Sequence, residues 1–276
     1  MLNNDFSLDA KSISKLSSKG LSLESLKQQI NEDIDFNLEL WHSQGLEIVK
    51  HHGYFYFATK FISFNEAEFC IVDIETNGSK IEKHQIIEIG AVKVKNGIIT
   101  DRFESLVKCE TINEHITAIT GIRAEDTQDA PSLQEVLYKF KIFLGDSIFI
   151  AHDVKFDYRF VSLSLQKVGL EPLLNRSLCS LALAERTLSS YRYALSYLSE
   201  YFNLNPNATH HRAMSDVITT YELFLLSITN LDKKIRTVED LIKFTKTAKR
   251  LKRPKLNPLQ TEGNRERRED SEAYSE

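Results

Sequence analysis

The apolar positions of this chain change their period along its length. Residues 69–74 form an almost unbroken apolar run, interrupted only by Asp73, which is the pattern of a strand buried on both faces. Residues 85–94 and 98–107 read as two further strands. Lys95-Asn96-Gly97 joins them, and its Asn-Gly pair is a tight-turn signal, so the three strands are expected to form a meander. From residue 132 the period lengthens. Leu133, Val136, Leu137, Phe140 and Leu144 fall at helical spacing within 132–144. A fourth strand is expected at 147–151, then a helix at 156–168 that Gly169 ends. Residues 176–182 hold a short fifth strand running into a helix, and 194–202 read as helix. The clearest helix follows, with Met214, Val217, Ile218, Tyr221, Phe224, Leu225 and Ile228 in one apolar stripe. Strands followed by strand–helix alternation predict an α/β fold for residues 66–230.

The flanks differ. Within 1–65 the pattern gives short helices at 12–18, 22–30 and 37–44, then a hairpin from 46–50 and 54–61 around His51-His52-Gly53. Three short helices and a hairpin fit a small winged-helix-like module, and equally a helical extension packed on the main domain. Residues 31–40 hold Glu32, Asp33, Asp35 and Glu39 and no base, which favours protein contact over DNA contact there. In 231–276 a basic helix is expected at 238–251. Its Leu241, Phe244, Ala248 and Leu251 share a face suited to a partner helix or to packing on the main domain, while its lysines and arginines suit phosphate. Beyond Pro254 the chain is rich in Arg and Glu with almost no apolar content, the composition of a disordered tail.

Composition narrows the choice of class. With 276 residues, 42% hydrophobic and 27% charged, the chain can bury a full core, and no apolar run approaches a membrane span. The first residues lack the basic and apolar stretches of a signal peptide. Cys70, Cys109 and Cys179 lie far apart with no CxxC, which fits a reduced, cytoplasmic setting. The net charge of −4 is uneven: 231–255 carries ten Lys/Arg against three Asp/Glu, whereas 1–230 is acidic by eight. An acidic body that handles nucleic acid needs local screening, for which divalent metal is the obvious candidate.

Three segments offer chemistry. Asp73 and Glu75 sit at i and i+2 near a strand end and share a face, a costly arrangement without a cation between them. Asp157 falls in the first turn of the helix after the fourth strand, where the helix dipole alone would favour an acid. His211 precedes the long amphipathic helix and Asp216 lies in its first turns. The two can share a site only when His211 is on the preceding loop. Together, four carboxylates and one histidine with no cysteine match hard cations such as Mg²⁺ or Mn²⁺. Two such ions suit in-line phosphodiester displacement, and a histidine suits deprotonation of the attacking water.

These segments resemble the motifs of the DEDDh 3′→5′ exonucleases. Asp73-x-Glu75-Thr76-x-Gly78 with Ile86-Ile87-Glu88-Ile89-Gly90-Ala91-Val92 is similar to the first motif. Thr120-Gly121-Ile122 with Ala130-Pro131 resembles an intervening segment. Ala151-His152 to Phe156-Asp157 resembles the second motif, and His211-Arg212-Ala213-x-x-Asp216 the third. Order and spacing agree over residues 68–230, with the proofreading subunits of bacterial DNA polymerase III nearest in pattern. The resemblance implies an RNase H-like mixed sheet flanked by helices. It implies Asp73, Glu75, Asp157 and Asp216 as ligands of two Mg²⁺ or Mn²⁺ ions and His211 as general base. Thr76, Gly78, His152 and Phe156 would line the substrate site. One position departs from the pattern: Asp153 stands where the second motif usually has Asn, so a group that donates and accepts is replaced by one that only accepts. The implied partners are a DNA 3′ end and a DNA polymerase catalytic subunit. RNA 3′-end trimming by the same chemistry, and a non-catalytic assembly role for the same fold, are the competing readings.

Overall fold

The computed structural model describes residues 8–30, 33–209 and 211–259. The expected tail beyond Pro254 lies mostly outside them, as do residues 1–7.

The N-terminal unit comprises α1 (Ala10–Leu16), β1 (Leu21–Ser22), α2 (Leu23–Lys27), α3 (Ile34–Ser43), β2 (Ile48–His51) and β3 (Tyr54–Phe57). Local chemistry sets the helix starts: Asp9, Ser22 and Asp33 each cap an N-terminus by accepting a backbone N–H. β2 and β3 form the expected hairpin, and β1 adds a third strand against β3. Leu16, Leu21, Leu26, Trp41, Phe55 and Phe57 make a core of the unit's own. The unit is also fastened to the rest of the chain. Leu174 donates its N–H to the Gln44 carbonyl at 3.2 Å, and the Arg176 guanidinium lies over the Phe57 ring at 4.3 Å. A self-contained core and a firm attachment therefore coexist.

The main body is a five-stranded mixed sheet. The meander is β4 (Phe69–Thr76), β5 (Ile86–Lys95) and β6 (Ile98–Leu106), all antiparallel. Next come α4 (Glu114–Thr120), α5 (Leu133–Leu144), β7 (Ile148–Ala151), α6 (Val154–Lys167), β8 (Ser177–Cys179) and α7 (Ser180–Thr187). They are followed by α8 (Leu195–Phe202), α9 (Ala213–Ile228) and α10 (Val238–Thr247). β7 and β8 extend the sheet parallel to β4, giving the order β6-β5-β4-β7-β8. Alternation along β4 explains the apolar run: Cys70, Val72 and Ile74 enter one core with α5 and α6, while Phe69 and Ile71 enter the other with α9 and α10.

Two expectations need adjusting. α4 was not legible from periodicity; Asn113 caps it and Gly121 at φ 73° ends it after two turns. The basic helix stops at Thr247, four residues short of 251, because the chain straps back onto the body. Leu251 N–H donates to the Glu185 carbonyl at 2.8 Å, and Arg250 Nε reaches the buried Glu185 carboxylate at 2.8 Å. Val238, Leu241 and Ile242 share a core with Val217 and Phe224, so α10 packs on the main body and its apolar face is used internally. Among the described residues no helix is long and apolar enough to cross a membrane.

Candidate active site

β4 and β7 run parallel, so the ends of both strands open on the same edge of the sheet, where α/β folds collect functional groups. Asp73 and Glu75 lie on the α9 side of β4, and a register shift between Glu75 and Thr76 bulges the strand there. Asp157, in the first turn of α6, is 5% exposed, and Asp216, in the first turn of α9, is 8% exposed. His211 sits on the loop before α9 in a left-handed conformation, φ 61°, and its N–H donates to Asp216 Oδ2 at 3.0 Å. That turn is what brings His211 and Asp216 to one place. Ligand atoms of Glu75, His211 and Asp216 lie within 4.8 Å of one another.

The carboxylates strain against each other. Burial raises the Asp73 pKa well above the ordinary range, with Asp157, Asp216 and Glu75 adding repulsion. Burial pushes Asp157 up to about 8, against the opposing pull of the backbone amides of Asp157 and Ile74. Glu75 is pushed up to about 7 by burial and by Asp216. Such a group is costly as a bare anion cluster. Its donor set, oxygens with one imidazole and no thiolate, fits a hard divalent cation.

The substrate-side residues are placed as follows. Thr76 ends β4. Gly78 has φ 154°, and a Cβ there would meet the His84 ring at 2.5 Å, so a larger residue would have to displace that histidine. Phe156 is 40% exposed beside Asp157. His152 spends both ring nitrogens inside the protein: Nε2 faces the Tyr193 carbonyl at 2.8 Å, which assigns it the proton, and Nδ1 faces Ser180 Oγ at 3.0 Å. Burial lowers its pKa, in keeping with a neutral ring. Asp153 adopts φ 68° and ψ 59° ahead of α6, a left-handed position that Asn and Asp both tolerate.

The sequence offered Glu88 and Gly90 only as members of the first motif, with no role for either, and gave no sign of Tyr193. Glu88, 1% exposed, accepts from Arg212 and from the Ala213 N–H, tying β5 to the start of α9. A charged residue inside the apolar run 86–92 was the available signal.

A mixed sheet gathers carboxylates at one end of its central strands with a histidine beside them, a donor set able to hold a hard divalent cation. Comparison with known proteins gives the family: a model described as "Exonuclease" matches residues 70–224. A DNA polymerase III subunit epsilon from Aquifex aeolicus is 34% identical over 162 residues, covering 58% of this chain and 80% of that protein. A PolC-type DNA polymerase III from Thermotoga petrophila is 38% identical over 196 residues, 66% of this chain, and the chain spans only 14% of that protein's length. The structure of exonuclease X in complex with 5′ overhanging duplex DNA superposes with TM-score 0.51 at 26% identity, covering 64% of this chain and 99% of that one. E. coli exonuclease I with a dT13 oligonucleotide shares the fold, with TM-score 0.55 at 14% identity over 60% of this chain and 42% of that one. This chain belongs to the exonuclease family.

Proposed function

We propose that this protein is a 3′→5′ exonuclease that removes 5′-mononucleotides from DNA 3′ ends in a proofreading setting. The observation that carries the reading is the convergence of Asp73, Glu75, Asp157, Asp216 and His211 from β4, α6, α9 and the loop before α9. Asp73, Glu75, Asp157 and Asp216 are the residues that would hold two Mg²⁺ or Mn²⁺ ions. When bound, such ions supply charge neutralisation at the attacking and leaving oxygens of a phosphodiester. The protein's own residues do the rest. His211, exposed on its loop, takes the proton of the attacking water on a ring nitrogen. Water oxygen joins phosphorus, the bond to the 3′ oxygen breaks, and the products are a 5′-mononucleotide and a new 3′ hydroxyl. Thr76 and the backbone near Gly78 border the terminal nucleotide, and the exposed Phe156 ring offers a stacking face. His152 supports the site from behind, through Tyr193 and Ser180.

The family's nucleases and the polymerase III relatives support DNA as substrate and a polymerase as partner, which would deliver mispaired ends. We further propose three parts: 1–65 as a small module, 66–230 as the exonuclease domain and 231–276 as a basic helix and tail. The test is digestion of 5′-labelled primers with matched or mismatched 3′ termini, in DNA and in RNA, with Mg²⁺ or with EDTA. A Mg²⁺-dependent ladder shortening from the 3′ end, faster on mismatched DNA, is expected. Preference for RNA would move the assignment to 3′-end trimming, and no digestion of any substrate would revive the assembly role.

A further inference from the structure

The N-terminal unit and the exonuclease body enclose a cleft of about 900 Å³. Leu46 and Phe57 of the N-terminal unit form one wall, and the outer face of α6 forms the opposite wall. One end of the cleft reaches Ser79 and Phe156, the sequence neighbours of Gly78 and Asp157, so the cleft runs along α6 to the helix turn that carries Asp157.

Its charge is opposite to that of the acidic body. Lys155, Arg159, Arg176 and Lys246 line it, against Asp153 alone. Arg176 is already used: its Nε and Nη2 each lie 2.7 Å from a Glu239 carboxylate oxygen. Among the described residues the other three make no ion pair. Lys155 and Arg159 are four apart on α6, hence neighbours on one face, and Lys246 comes from α10. Burial and the neighbouring Arg176 lower the Lys246 pKa, against the opposing pull of Glu239, which Arg176 already engages. Cations along a channel with an aromatic ring at one end are the recurring arrangement of single-strand binding.

We infer that this cleft holds the phosphodiester backbone of the substrate strand just upstream of its 3′ terminal nucleotide, with Lys155, Arg159 and Lys246 as the phosphate contacts. The inference rests on the exonuclease reading, and it gives the N-terminal unit a task, as the second wall of the strand's path. Three phosphate contacts set an expected salt slope, since each contributes about 0.7 to the dependence of log affinity on log salt for a single strand.

The test uses the full chain and the triple variant Lys155→Gln, Arg159→Gln, Lys246→Gln. Anisotropy of a 5′-labelled 12-mer in Ca²⁺ reads binding without turnover. Hydrolysis of the p-nitrophenyl ester of thymidine 5′-monophosphate reads the carboxylate site without an upstream strand. We expect the variant to bind the 12-mer about tenfold or more weaker, with the salt slope lowered by about 2. The loss should be equal for DNA and RNA 12-mers, while ester hydrolysis stays at the parent's rate. The single variant Lys246→Glu, on a different element, should reproduce the direction. Unchanged 12-mer affinity and salt slope would overturn the cleft assignment while leaving the exonuclease reading intact. A parent that hydrolyses neither ester nor oligonucleotide would instead sink the exonuclease reading. Loss confined to one sugar type would overturn backbone reading.

Discussion

Arg212 lays its guanidinium across the Glu88 carboxylate, with Nη2 2.8 Å from Oε1 and Nε 3.2 and 3.3 Å from the two oxygens. Glu88 Oε2 also accepts the Ala213 N–H at 2.9 Å. One buried acid on β5 thus fixes both the residue that follows His211 and the first turn that carries Asp216. Glu75 lies directly across the ladder from Glu88, so the guanidinium also offsets a second negative charge beside the site.

Arg212→Ala leaves Glu88 buried with one backbone donor. Loss of a hydrogen-bonded charge partner costs about 1.5–3 kcal/mol, and the half-exposed arginine places the expected loss toward the lower end. Turnover should fall further than stability implies, because His211 and Asp216 lose their common anchor. Arg212→Lys should recover part of the stability and little of the rate, since an ammonium cannot span both oxygens. Urea denaturation beside kcat checks this; equal activity in parent and alanine variant would contradict the anchoring role.

Gly90 lets α9 approach the sheet. A Cβ there would lie 2.7 Å from both Ala213 C and Met214 N, which are backbone atoms with no freedom to rotate away. Gly90→Ala should cost about 1–3 kcal/mol by overpacking and displace the start of α9. A thermal melt and an activity assay measure the two effects, and a variant equal to the parent in both refutes the close approach.

The raised carboxylates give stability a definite pH dependence. Asp73, Glu75 and Asp157 have folded pKa values above their unfolded ones, so between about pH 4.5 and 8 the folded state binds more protons than the unfolded state. Without metal, stability must therefore fall as pH rises through that window. Divalent ions bind the deprotonated cluster, so their stabilisation must grow over the same range. Melting curves at pH 5 and pH 8, in EDTA and in Mg²⁺, are expected to show the metal-induced gain widening with pH. An EDTA melting point that rises with pH would count against the cluster.

Asp157→Asn removes one charge from the repelling group while keeping its shape. In EDTA at pH 8 its melting point should rise, by about 2–4 °C for each kcal/mol of repulsion relieved. Its turnover should fall about 10³-fold or more. A variant both less stable and active would contradict the assignment.

The parts legible in the sequence were those that local pattern dictates. The apolar run 69–74, the Asn96-Gly97 turn and the stripe from Met214 to Ile228 match β4, the β5–β6 hairpin and α9 closely. His211 and Asp216 could be assigned to one site because spacing ruled out a shared helix face, and the structure meets that condition with His211 at φ 61°. What escaped was non-local. The end of α10 is set by Glu185, far away in the sequence, and β1 exists only because β3 pairs with it. Glu88 looked like part of a strand pattern until its partner Arg212 was adjacent in space.

The central claim is that these carboxylates form a two-ion site. Isothermal titration of the metal-free protein with Mn²⁺ at pH 8 tests it most directly, alongside Asp157→Asn and Asp216→Asn. Two ions bound by the parent, and at least one lost in each variant, is the predicted result. No binding by the parent, or unchanged stoichiometry and affinity in both variants, would contradict it.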